Sequence, residues 1–125
     1  MTRLSSWEKY KTSDESVICI VAVVSLCVSL CKVDGDMTDY EKQEIINLIP
    51  HDKDDEELLV HLIEEFNKNE EDYIFHAENI KKYLNDKKLV LQFILATLYK
   101  LAMSDRVMDP EEKKMISKTY EIFDV

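Results

Sequence analysis

The sequence contains one glycine and two prolines in 125 residues. So few turn-formers exclude a turn-rich all-β fold. No stretch alternates apolar and polar residues with period two, so half-buried strands are missing too. The three cysteines, Cys19, Cys27 and Cys31, all lie in one apolar run. An odd count with no second Cys or His cluster fits neither a disulfide scaffold nor a zinc site, and it favours a reducing compartment. Spacings of eight and four put the three thiols on roughly one helical face, as small buried hydrophobes. Positive charge is also scarce: 16 Lys and Arg stand against 26 Asp and Glu, a net charge of −10. Such a chain repels nucleic acid and anionic headgroups, so no nucleic-acid partner is expected.

What is present is enough for one domain. Apolar residues make up 46% of the chain, and a domain of this size buries roughly two-thirds of its unfolded surface. The longest apolar run, Val17 to Cys31, contains Ser25 and Ser29 and falls short of the about 20 residues needed to cross a bilayer. Asp14 and Glu15 stand where a signal peptide carries basic charge, no small-residue cleavage pattern follows, and Leu30 is too large for a lipoprotein site. The run therefore reads as a buried core helix, and the protein as soluble and cytoplasmic with no membrane insertion by this chain.

Residues 1–12 read as a leader that either frays or docks through Trp7, and residues 13–125 as the folded domain. Ser13 or Asp14 is placed to cap a helix running to about Val33, with Gly35 available for a left-handed turn after it. Thr38-Asp39-Tyr40-Glu41 is a capping box opening a helix with the stripe Ile45, Ile46, Leu48 and Ile49, stopped by Pro50. A third helix from Asp54 or Asp55 carries Leu58, Leu59, Leu62, Ile63 and Phe66. Residues 67–72 are a polar bridge, and 73–84 form a shorter helix. Asp86 is placed to cap a helix over about Lys87 to Met103 that is apolar on most sides. Asp109-Pro110-Glu111-Glu112 opens the last helix through about Phe123, with Asp109 as cap and Pro110 at the first helical position. The expected fold is all-α, with about six to seven helices.

A shift of 71 residues superposes Val33-Asp34-Gly35-Asp36-Met37-Thr38 on Ser104-Asp105-Arg106-Val107-Met108-Asp109, and Glu41 on Glu112. The chain thus reads as two pseudo-repeated helical halves, each an apolar helix, an Asp-led turn, a cap and a Glu. Arg106 stands where the first half has Gly35, a substitution that costs about 1–2 kcal/mol if the second turn is left-handed.

These residues resemble the TerB-like helical family, found in bacterial tellurite-resistance TerB proteins and at the front of DjlA-type membrane-linked J-domain co-chaperones. The pattern of apolar helix, Asp-Gly, apolar residue, cap and Glu occurs twice, departing from the family at Arg106, and the bridge 67–72 looks more like the DjlA-type version. The resemblance implies a divalent-cation site at Asp34, Glu41, Asp105 and Glu112, with Asp36 and Asp39 as further candidates. Ca²⁺ or Mg²⁺ suits such an all-oxygen set, whereas on purely local grounds the same acids serve helix starts. It also implies a non-enzymatic module of metal (tellurite) or envelope stress. The alternative is the TerB-like portion of a DjlA-type co-chaperone, which carries a membrane anchor and a J domain beside it.

Other patterns are weaker. Asp34-Gly35-Asp36-Met37-Thr38 spells the D-x-D-x-T phosphatase motif, a remote alternative because that chemistry needs a buried parallel strand before it. An EF-hand fails where Asp39 replaces its Gly and Ile45 its Glu. His51, His61 and His76 are expected at the surface. Residues 52–72 hold ten acids against Lys53 and Lys68, a solvated face or a docking surface for a basic protein partner.

Overall fold

The computed structural model describes residues 7–10, 14–33, 35–104 and 107–125. These form six α-helices and no strand: α1 (Glu15–Lys32), α2 (Asp39–Leu48), α3 (Glu56–Lys68), α4 (Tyr73–Tyr83), α5 (Lys88–Ala102) and α6 (Pro110–Phe123). Short 3-10 turns at Glu8–Tyr10 and Lys53–Asp55 precede α1 and α3. The all-α expectation and the helix order hold.

Helix α1 is the centre. Helices α2, α3, α4 and α5 pack around it, while α6 closes the far side against α4 and α5. From Val17 onward no α1 residue is exposed, and Val21 through Val28 are buried without a break. An all-round apolar helix is stable in water only when enclosed in this way. Its serines fit because each hydroxyl is satisfied inside the helix: Ser25 Oγ donates to the Ala22 carbonyl at 2.7 Å and Ser29 Oγ to the Ser25 carbonyl at 2.8 Å. Cys27 and Cys31 are buried and Cys19 is half-buried.

Both expected capping boxes form. Thr38 Oγ1 accepts from the Glu41 backbone N–H, and Asp109 Oδ1 accepts from that of Glu112. Pro110 occupies the first position of α6, where its missing N–H costs nothing. Two other expected caps do not form. Asp14 precedes α1 without a side-chain bond, and Ser13 lies outside the described residues. Helix α5 starts one residue later than Asp86 would place it, with Lys87 before it and no side-chain cap.

Three further differences arise from tertiary context. Gly35 has φ +154°, away from the ordinary left-handed well near +57°. That region is still closed to residues with a Cβ, although no atom lies within 4 Å of where one would stand. Gly35→Ala should therefore cost about 1–3 kcal/mol from backbone strain alone, read as a lower urea midpoint; an unchanged midpoint would contradict this geometry. Arg106, which the 71-residue shift of the sequence sets against Gly35, lies outside the described residues.

Trp7 docks: it is 1% exposed, stacks on Tyr83 with ring centroids 6.0 Å apart, and donates from Nε1 to His76 Nδ1 at 2.9 Å. His76 is accordingly buried on α4 and not on the surface, while His51 is half-buried and His61 exposed. A long-range partner makes a buried imidazole affordable where the local sequence looks polar. Finally, α5 is enclosed on one side only. Leu89, Phe93, Tyr99 and Met103 remain exposed.

Burial holds the His76 imidazole below its ordinary 6.5, opposed by Glu71 and Asp72, whose charges, with a hydrogen bond to the Glu71 backbone, favour the protonated form; Lys32 adds slightly to the depression. The unfolded chain then binds a proton near 6.5 that the folded chain refuses until lower pH. Stability therefore rises with pH in that window and is lost as pH falls below about 6.5. Melting temperatures measured from about pH 7.5 to about 5.5 should fall more steeply in wild type than in His76→Gln. Parallel slopes would remove His76 as the responsible group.

Candidate functional site

The site expected from the sequence centres on the turns that follow α1 and α5. Thr38 and Asp109 adopt extended backbone before α2 and α6, which aims each side chain at the N–H of the third helical residue. The glutamate at that third position reaches back in turn. Glu41 Oε1 accepts from the Thr38 backbone N–H at 2.9 Å, and Glu112 Oε1 accepts from the Asp109 N–H at 3.2 Å. Two carboxylates, separated by 71 positions in sequence, are thus held in fixed rotamers by reciprocal bonds.

The charges of these two carboxylates are both felt by one thiol. Cys31, in the last turn of α1, is buried, and its thiol is pushed far above the ordinary value. Burial is the largest cause, followed by the charge of Glu41, the neighbouring Cys27, a hydrogen bond to the Glu41 side chain, and the charge of Glu112. Cys27, deeper in the helix, is pushed up to about 12 by burial. Both thiols are therefore held toward the protonated form at neutral pH, which makes them poor nucleophiles. Cys31 is the residue that sequence reasoning assigned only to the core. Its position one helical turn before the Asp34-Gly35 turn was the available signal.

The other candidate acids are less closely placed. Asp36 is exposed beside Gly35, and Asp39 is the exposed first residue of α2. Asp34 and Asp105 lie outside the described residues. Among the described residues, no group of three or more His, Cys, Asp or Glu side chains is arranged to hold a metal ion. An open cleft of about 660 Å³ adjoins the first turn, between the end of α1 and the bridge after α3. Lys32 spans its floor, with Nζ donating to the backbone carbonyls of Asn67 at 2.7 Å and Asn69 at 3.2 Å. That lysine meets the negative end of α3, a favourable contact with the helix dipole.

The D-x-D-x-T match is set in a helix-to-helix turn, with no strand among the described residues to present a nucleophile. The acidic stretch 52–72 covers the outer face of α3, where Lys42 meets Glu64 at 3.1 Å and His61 meets Glu65 at 3.5 Å.

The sequence matches the family described as tellurite resistance protein TerB over residues 20–125. The chain belongs to the TerB family. No curated protein and no solved structure matches it. The match begins inside α1 and runs through α6, so both capping boxes of this TerB-family domain fall within it. Trp7 and the 3-10 turn that follows it lie before the matched residues.

Proposed function

We propose that this TerB-family domain is a non-catalytic module that binds a hard divalent cation, Ca²⁺ or Mg²⁺, between its two capping turns and serves metal or tellurite stress. One observation carries the reading: the charges of Glu41, in the first turn of α2, and Glu112, in the first turn of α6, both push up the same buried thiol, that of Cys31. Two like charges are thereby held in one region by capping boxes that fix their positions in advance. A carboxylate offers two oxygens with about four lone-pair sites, so a capping bond does not exhaust it. Hard cations take six to eight oxygen ligands, and Asp34 and Asp105, which follow α1 and α5 in the sequence, would supply further charge in this reading. When bound, the cation would supply charge neutralisation and a link between the turns. The protein's own groups orient the carboxylates and keep a neutral thiol behind them.

Calorimetric titration of the purified chain with CaCl₂ and with MgCl₂ tests the proposal. The expected result is saturable binding in wild type that is absent from Glu41→Gln/Glu112→Gln, which keeps the oxygens of both capping boxes and removes the charge. Equal heats in both proteins would overturn it.

A further inference from the structure

Helix α5 differs from the rest of the molecule in both polarity and charge. Leu89 is 81% exposed and Phe93 is 44% exposed. With Ala96 and Met103 they form one stripe at helical spacing along the outer face, about 21 Å long at 1.5 Å per residue. The stripe runs into a groove of about 680 Å³ between α5 and α6, where Tyr99, Met103, Ile116 and Tyr120 supply the walls and Lys113 is its one charged side chain among the described residues. Contiguous exposed apolar surface of this kind marks an interaction site more often than isolated exposed residues do.

Charge identifies the kind of partner. The chain carries −10 overall, yet α5 contains no Asp or Glu. Its outer face bears Lys88 and Lys100, and Lys113 faces the groove. None of these three lysines makes an ion pair among the described residues. An acidic partner is repelled by most of this surface and drawn to this one apolar face, where its carboxylates meet cations.

We propose that the α5 stripe and the α5–α6 groove dock an acidic amphipathic helix of a partner protein, its apolar residues on Leu89, Phe93 and Met103 and its carboxylates on Lys88, Lys100 and Lys113. Apolar anchors laid along a groove with charged flanks are the general mode of helix recognition. The groove admits one large side chain of the partner between Tyr99 and Tyr120. The groove meets the second capping turn at Met108 and Lys113, but the docking uses neither Glu41 nor Glu112, so this inference stands whether or not a cation binds there.

The test uses a fluorescein-labelled peptide of about 15 residues, matched to the length of α5, with Leu or Phe at i, i+3, i+4 and i+7 and Glu elsewhere. A second peptide has every Glu replaced by Lys. Anisotropy titrations should show saturable binding of the acidic peptide that weakens as salt rises. Affinity should drop at least tenfold in Leu89→Ser/Phe93→Ser, and separately in Lys100→Glu. These positions are exposed, and melting curves confirm that the variants fold; the Lys100→Glu arm leaves the apolar stripe intact. Failure of the acidic peptide to bind, or binding indifferent to these changes, overturns the proposal. So does binding of the Lys peptide that is lost in the same variants. Two further outcomes contradict it: a wild-type dimer made monomeric by Leu89→Ser/Phe93→Ser, or phosphatidylserine vesicles bound through the stripe in place of the peptide.

Discussion

Trp7→Ala should lower the stability of the domain by about 3–5 kcal/mol, the range for removing a large buried aromatic side chain. Against a total of about 5–15 kcal/mol for a domain, that is a large fraction. The effect has two sources. The indole fills a pocket against Tyr10 and Tyr83 with almost no exposure, so truncation leaves a cavity where the 3-10 turn meets α4. It also removes the donor to His76 Nδ1, leaving a buried acceptor unpaired at a cost of about 1–3 kcal/mol. Trp7→Phe separates the two, because it keeps much of the packing and loses only the hydrogen bond. Urea unfolding followed by far-ultraviolet circular dichroism reads both variants without depending on the lost fluorophore. A loss below about 1 kcal/mol for Trp7→Ala would mean that this segment does not dock in solution.

The starts of α2 and α6 were legible because capping is local chemistry. Thr38 with Glu41 and Asp109 with Pro110 and Glu112 each declare a helix start within four residues, and both boxes form as read. The centrality of α1 was equally legible, since an apolar run too short for a bilayer has to be covered by protein. His76 was not legible: its partner is Trp7, 69 positions away, and nothing in the polar stretch around it announces that contact. The outward face of α5 escaped for a different reason. A helix that is apolar on most sides carries no mark of which side its neighbours leave uncovered, and only the placement of α1, α2 and α6 decides that Leu89 and Phe93 face water. Asp14 and Asp86 have the right chemistry for caps, but the chain meets α1 and α5 in geometries where their side chains do not reach. In the candidate site, the two matching capping boxes pointed to Glu41 and Glu112, whereas Cys31, the buried thiol that feels the charge of both, emerged only from the folded arrangement.

The second large effect concerns cation binding. A ligand that binds only the folded chain stabilises it by about 2.7 kcal/mol at a hundredfold excess over its dissociation constant. In a domain of this size that corresponds to a rise in melting temperature of several degrees. In Glu41→Gln/Glu112→Gln the capping oxygens remain, so stability in chelator should stay within about 0.5 kcal/mol of wild type. The gain with Ca²⁺ or Mg²⁺ should vanish in that variant. Asp34→Asn/Asp105→Asn should abolish the same gain if all four acids share one ion. A purely structural role predicts the opposite pattern, with no gain in wild type and nothing for either double variant to lose.

The most direct test of the proposed cation binding is therefore a pair of melting curves of the wild-type chain, one in chelator and one in millimolar Ca²⁺ or Mg²⁺. The account predicts a higher melting temperature with at least one of these ions, reversed when chelator is added back. Superimposed curves for both ions would contradict it and return Glu41 and Glu112 to the single task of starting their helices.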